Sequence, residues 1–216
     1  MVNIKLLIEK ELNELWEKYS EFEFTNIPPL APKEIYTKDS ILFIGLNPSL
    51  SKTEIERIKN NSVKEMEFYE NHRNSNEIHR YFKKFVIISE NTGLSWEHLD
   101  LLYIRETQQN KVKEILKTEN GKNFIFEQLK ISDKIMQHII EFEKPKMVVV
   151  NNTLSREFLG KNNHWLNYNF EPNENIGTQT YKNIPFFFTS MLTGQRALDI
   201  GSFERLIWHI NYIKEK

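Results

Sequence analysis

The chain of 216 residues contains no cysteine. Disulfides, thiolate zinc sites and iron–sulfur clusters are thereby excluded together. Glycine and proline are sparse, seven of each, which rules out collagen-like and low-complexity chains. No apolar run approaches the ~20 residues that a membrane-spanning helix needs. Charge of one sign is not in surplus either: 29 basic against 30 acidic side chains leave a formal net charge of −1. With no chain-wide basic field, a local patch is the only electrostatic route to a nucleic acid. The six histidines show no metal-ligand spacing, since His72 and His79 are a weak pair and no HExxH exists. Neither a metal nor a cofactor is expected. The amino-terminal stretch, with Glu9, Glu11 and Glu14 on an amphipathic pattern, lacks the layout of a signal peptide. A cytoplasmic location and no membrane partner are expected.

What is present fits a globular protein. Charged residues make up 27% and hydrophobic ones 39%, and the length suits one α/β domain over 1–216, with 1–30 as an amino-terminal helix and linker. The chain is organised around Ile41-Leu42-Phe43-Ile44-Gly45-Leu46-Asn47-Pro48-Ser49. Four apolar residues in succession, half of them β-branched, read as a strand buried on both faces. Gly45 frees the backbone, and Pro48 removes a ladder donor. Ser51-Lys52-Thr53-Glu54 then has capping-box spacing at the start of a helix. This places Asn47 and Ser49 at the carboxyl end of a strand, where open parallel sheets bind ligands.

In chain order, Ile4 to Tyr19 has helical spacing, and Pro28, Pro29 and Pro32 make an extended linker. Thr53 to Asn71 and Glu77 to Ser89 read as helices. His98 to Arg105 reads as a second strand, Gly121 to Glu143 as a long helix, and Lys146 to Val150 as a third strand. Asn151 and Asn152 close that strand. Their amides suit a base or a sugar, and Asn152 equally suits the cap of a helix over Thr153 to Leu159. Gly160 to Asn183 reads as irregular, with a hairpin through Trp165 and Tyr168. Ile184 to Phe188 is the fourth strand, and Ser202 to Tyr212 the last helix.

Gly45-Leu46-Asn47-Pro48-Ser49 resembles the first motif of the uracil-DNA glycosylase superfamily, in the form used by its mismatch-specific and thymine-DNA glycosylase branches. A second likeness follows the fourth strand. The family's last motif, His-Pro-Ser-Pro-Leu-Ser with a basic residue after two intervening positions, is similar to the run from Phe188 to Arg196. Ser190, Leu192, Thr193 and Arg196 fall on its serine, leucine, serine and arginine positions. The resemblance covers about residues 35 to 212. The sequence departs from the family at Phe188 and Thr189, which stand where the histidine and proline belong. That histidine donates to the base oxygen as charge develops there; some branches use an asparagine instead.

The resemblance implies a three-layer α/β/α fold around a four-stranded parallel sheet, with strands near 41–46, 99–104, 146–151 and 185–189. It implies a monomeric DNA glycosylase that removes uracil or a related mismatched or damaged base. Asn47 is then the catalytic residue, orienting the attacking water. Gly45, Leu46, Ser49, Phe68, Tyr69, Asn151, Asn152 and Phe188 are the implied base-binding group. Ser190, Met191, Leu192, Thr193, Gln195 and Arg196 are the implied DNA contacts, with Met191 or Leu192 as an apolar wedge. Asp100, Tyr103 and Arg105 are the polar groups available at the second strand's end. A different reading stays open: Gly-Leu-Asn-Pro-Ser as a strand-to-helix turn with Asn47 bonding its own backbone, on a fold that binds a nucleotide, RNA or protein without cleaving it.

Overall fold

The structure, a computed structural model, describes residues 4–50, 52–60, 66–68, 78–160, 165–194 and 197–216. In chain order these form α1 (Ile4–Lys18), β1 (Leu30–Ala31), β2 (Ile41–Gly45), α2 (Lys52–Asn60), β3 (Glu67–Phe68) and α3 (Lys83–Thr92). Then come β4 (Trp96–Asp100), α4 (Gln109–Ile115), α5 (Glu119–His138), β5 (Met147–Val150) and α6 (Thr153–Leu159). The chain closes with β6 (Glu171–Asn173), β7 (Thr178–Tyr181), β8 (Ile184–Phe188) and α7 (Ile200–Lys214). Two compact units are interleaved in sequence. One holds Met1–Ile35, Leu46–Glu70 and Asp100–Gln137, the other Tyr36–Gly45, Asn71–Leu99 and His138–Lys216.

The second unit is built on a mixed six-stranded sheet in the order β4-β2-β5-β8-β7-β6. The apolar runs Ile41–Ile44 and Met147–Val150 pair in parallel residue for residue, and β8 pairs with β5 in the same sense. Every residue of β2 and β5 is buried, which is why neither strand shows hydrophobic alternation. The register sorts the helices between the two faces. Phe43, Val149 and Phe187 are opposite one another and so point to the same side. Phe43 stacks on Phe85 of α3 with ring centres 4.1 Å apart, and Phe187 meets His209 of α7 edge-on at 5.0 Å. Phe188, one residue on, points the other way and carries Arg156 of α6 against its ring. Thus α3 and α7 cover one face while α6 lies on the other.

The sheet differs from the expected four parallel strands. A hairpin, β6 and β7, extends it antiparallel beyond β8. Lys182 and Asn183 both have positive φ, 49° and 64°, the backbone that a tight two-residue hairpin turn requires. The segment expected to be irregular thereby protects an otherwise open edge. The second strand lies earlier than expected, at Trp96–Asp100, because the chain beyond Asp100 directs backbone donors elsewhere. Leu102 N–H donates to the Leu46 carbonyl at 2.8 Å and Glu106 N–H to the Pro48 carbonyl at 3.1 Å. Helix α3 starts six residues later than the expected Glu77 and ends on Gly93, whose φ of 69° makes the left-handed cap. Glu67–Phe68, expected in a helix, pairs in parallel with Leu30–Ala31, since the proline-rich linker offers an extended edge. Ser51 of the expected capping box lies outside the described residues.

In the first unit, α1 and α5 meet through aromatic rings. Phe124 packs against Trp16, Tyr19 and Phe22 at 5.1 to 5.6 Å between ring centres. Tyr103 is buried against Ser132 of α5, which is 2.8 Å from its hydroxyl, and Gln128 accepts from Tyr103 N–H at 2.9 Å. Burial pushes the Tyr103 phenol well above its ordinary range, against the opposing Ser132 hydrogen bond.

Helix α5 begins where α4 has just ended, and Gly121 makes the junction possible. Its N–H donates to Thr118 Oγ1 at 3.0 Å, and a Cβ at Gly121 would lie 1.9 Å from the Ile115 carbonyl oxygen. That contact is with backbone, so no rotamer change relieves it. Gly121→Ala is therefore expected to destabilise the protein by about 2 kcal/mol, overpacking outweighing alanine's helix propensity. Urea unfolding checks this: the midpoint should fall, and an unchanged or higher midpoint would contradict the packing described.

Candidate functional site

The segment leaving β2 is stitched to the segment leaving β4. Besides the Leu102 and Glu106 donors, Thr107 Oγ1 donates to the Leu50 carbonyl at 2.8 Å and accepts from Leu50 N–H at 3.3 Å. Asn47 sits at the centre of this seam. Its Nδ2 lies 2.7 Å from the Glu106 carbonyl oxygen, 3.2 Å from that of Ile104 and 3.1 Å from that of Pro48. The first two ties span 59 and 57 residues while the third is to the adjacent residue, so the amide closes its own turn and also joins it to a distant segment. The same contacts fix its orientation. A flipped amide would bring Oδ1 against three carbonyl oxygens, which is repulsive. Oδ1 receives no hydrogen bond from the described residues, and the side chain is half-buried. The nitrogen is structural and the oxygen is available.

Leu46 and Pro48 of this loop are buried, and Ser49 is exposed. The backbone of Phe68 belongs to β3, while Tyr69 lies outside the described residues. Of the polar groups at and beyond the end of β4, Tyr103 and Arg105 are buried and Asp100, its last residue, is half-buried.

In the second unit the carboxyl ends of β2, β5 and β8 lie side by side. Because β4 and β5 flank β2 on opposite sides, the chain direction across the sheet reverses at β2. Ligands of open α/β sheets bind at such switch points. Asn151 stands just past β5, its N–H donating to the Ile44 carbonyl at 3.0 Å. Its Oδ1 is buried with no hydrogen-bond partner among the described residues, and the residue is only 3% exposed. Asn152 takes the capping role: its Oδ1 accepts from Leu154 N–H at 2.8 Å and starts α6. The Gly45 carbonyl, last of β2, accepts from Ser155 Oγ of α6 at 3.0 Å. Thr189 N–H continues the β5–β8 ladder to the Val150 carbonyl at 2.9 Å.

Phe188, where the resembled family keeps its histidine, is half-buried. Arg156 places its guanidinium carbon 5.3 Å from the Phe188 ring centre. Neither Ser155 nor Arg156 is marked by the sequence, for only the packing of α6 on the sheet brings them to these strand ends.

In the segment after β8, Ser190 is exposed and Met191 and Thr193 are half-buried, whereas Leu192 is 1% exposed. Leu192 is thus part of the core, which leaves Met191 as the accessible apolar side chain of the two. The Met191 carbonyl accepts from Leu198 N–H at 2.9 Å and closes the loop. Gln195 and Arg196 lie outside the described residues. Asp199 caps α7, accepting from Ser202 Oγ at 2.6 Å and from its N–H at 2.9 Å. Those bonds, the hydroxyl first, hold its carboxyl below the ordinary carboxylate range.

Among the described residues, no three His, Cys, Asp or Glu side chains are grouped so as to hold a metal ion. No helix there is long and apolar enough to cross a membrane.

The Asn47 seam has a direct consequence for stability. Asn47→Ala removes the donor shared by the Ile104 and Glu106 carbonyls, both bonds being partly buried, and should cost about 1 kcal/mol, the typical net worth of a hydrogen bond. Urea titration should show a lower midpoint at unchanged slope. A midpoint equal to that of the wild type would mean that these hydrogen bonds are absent in solution.

Compared with known proteins, the chain matches no family model, and no curated protein matches it in sequence.

Proposed function

We propose that the protein is a DNA glycosylase-like enzyme that hydrolyses the N-glycosidic bond of uracil or a related mismatched or damaged base. The observation that carries this reading is the Asn47 amide, its nitrogen bound to backbone and its oxygen left as an acceptor. Departure of a base breaks the C1′–N bond with the electron pair going to the base, and the sugar becomes oxocarbenium-like. Water then bonds to C1′ and loses a proton, which neutralises the departed base anion. With a cationic carbon as electrophile, the water needs orientation more than a strong base, and a fixed amide oxygen supplies it.

Asn151 suits the base. A buried acceptor without a donor carries a desolvation cost that a ligand N–H would relieve, and a pyrimidine imide offers such an N–H. The parallel set β2, β5 and β8, with β4 next to β2, supports a uracil-DNA glycosylase-like α/β/α architecture. Met191 and Ser190, in the segment that resembles the family's last motif, suit contact with the DNA from which the base is withdrawn. In this reading the enzyme works without a cofactor, as a cytoplasmic monomer in base-excision repair.

A second reading, a fold that binds a nucleotide, RNA or protein partner without cleaving, is favoured by Phe188. A phenyl ring donates nothing to a leaving base.

One experiment separates the two. The full chain is incubated with single- and double-stranded oligonucleotides carrying uracil, hypoxanthine or a G·T mismatch, and abasic sites are revealed by alkali. The enzyme reading predicts strand scission at the target base. It also predicts that Asn47→Ala, assayed where the variant is fully folded, loses two or more orders of magnitude in single-turnover rate, roughly 3 kcal/mol in the barrier. Binding without scission on every substrate would establish the second reading. Full activity in folded Asn47→Ala would remove this residue from the mechanism.

A further inference from the structure

Arg156 and Phe188 form a pair that nothing in the proposed hydrolysis uses. Arg156 lies on α6, exposed, with its backbone N–H and carbonyl spent on the helix and its guanidinium against the Phe188 ring. The described residues give that guanidinium no carboxylate and no hydrogen-bond acceptor. Among the described residues, none of its five N–H donors is therefore spent. Phe188 is the last residue of β8, paired with Val150, and is fixed by its neighbours. Phe170 meets the ring edge-on at 4.9 Å, and Phe186 lies 6.3 Å away. A held aromatic ring and an uncommitted cation thus stand together where the parallel strands end.

We infer that Phe188 and Arg156 bind a planar heterocyclic anion, the ring stacking on Phe188 while the guanidinium pairs with its ring carbonyl oxygens. The inference rests on the base-recognition reading in taking the heterocycle to be a nucleobase, whose anion is the leaving group of that hydrolysis. The chemistry favours it for three reasons. A cation–π contact at an exposed site is weak, whereas charge-assisted hydrogen bonds from a planar guanidinium are strong and directional. Guanidinium is weakly hydrated, so leaving water and the phenyl face is inexpensive. Unpaired bases are held by just these two kinds of plane, aromatic rings and arginine. Arg156 would then supply the donor that Phe188 itself lacks.

The test uses the full chain and titration calorimetry at neutral pH with three probes: barbiturate, a planar anion of uracil's shape; uracil, its neutral counterpart; and inorganic phosphate. Barbiturate is expected to bind at least tenfold more tightly than either of the others. Arg156→Gln should lose tenfold or more of the barbiturate affinity and leave uracil within twofold, and Phe188→Leu should weaken both rings. Arg156 is exposed, so its variant should retain the wild-type melting temperature, which keeps the test valid if Phe188→Leu fails to fold. Barbiturate binding no tighter than uracil or phosphate, or unaffected by Arg156→Gln, overturns the inference. The outcome is separable from the hydrolysis itself. Arg156-dependent barbiturate binding by a protein that cleaves no oligonucleotide would support the pair and sink the glycosylase reading. Cleavage by a protein whose barbiturate affinity ignores Arg156 would do the reverse.

Discussion

Three backbone carbonyls converge on one side-chain nitrogen, that of Asn47, and the candidate chemistry depends on this convergence. The Ile104 and Glu106 oxygens belong to a stretch that has left its strand, and so does the Pro48 oxygen. Each needs a donor once removed from water. Glu106 N–H already serves the Pro48 oxygen, and the two protons of one amide nitrogen answer the Ile104 and Glu106 oxygens, joining segments 57 to 59 residues apart. The orientation follows from charge alone, since an oxygen in that position would be repelled by its neighbours. Stability and the proposed chemistry would therefore be coupled in one side chain. The nitrogen ties the seam, and tying it aims the oxygen.

The second unit obeys a different constraint. Parallel strands expose their carboxyl ends together, and β2, β5 and β8 do so with Gly45, Asn151 and Phe188 at or just beyond them. Alternation along β8 sends Phe187 toward α7 and Phe188 toward α6. The short helix α6 consequently delivers two side chains to these ends. Ser155 satisfies the last carbonyl of β2, and Arg156 meets the last ring of β8. An amide oxygen buried without a partner, at Asn151, is the residual cost of this arrangement. It is also the atom that the proposed base recognition would use.

What was legible in the sequence is what local pattern dictates. Unbroken apolar runs mark β2, β5 and β8, and helical spacing marks α1, α5 and α7 within a few residues. The strand at Trp96–Asp100 was displaced because Leu101 to Ile104 are as apolar as any strand. Nothing local reveals that the N–H of Leu102 is used by Leu46. The β7–β8 turn was missed because Lys182-Asn183 lacks the glycine that usually announces paired positive φ. At the site, the motif placed Asn47 at a strand end, and the cap alternative for Asn152 proved to be its role. Arg156 was invisible, for a cation on a helix reads as solvated surface until a ring 32 residues later is found beneath it.

The Asn47 amide is locked with its nitrogen inward and its oxygen unbonded by the described residues. Its two Nδ2 protons can be followed by nuclear magnetic resonance during exchange into deuterated water. The account predicts exchange far slower than for exposed asparagine side chains such as Asn91 and Asn169, because opening requires parting the seam. Exchange of the Asn47 protons at the rate of those exposed amides would contradict it, and with it the oriented acceptor on which the proposed hydrolysis stands.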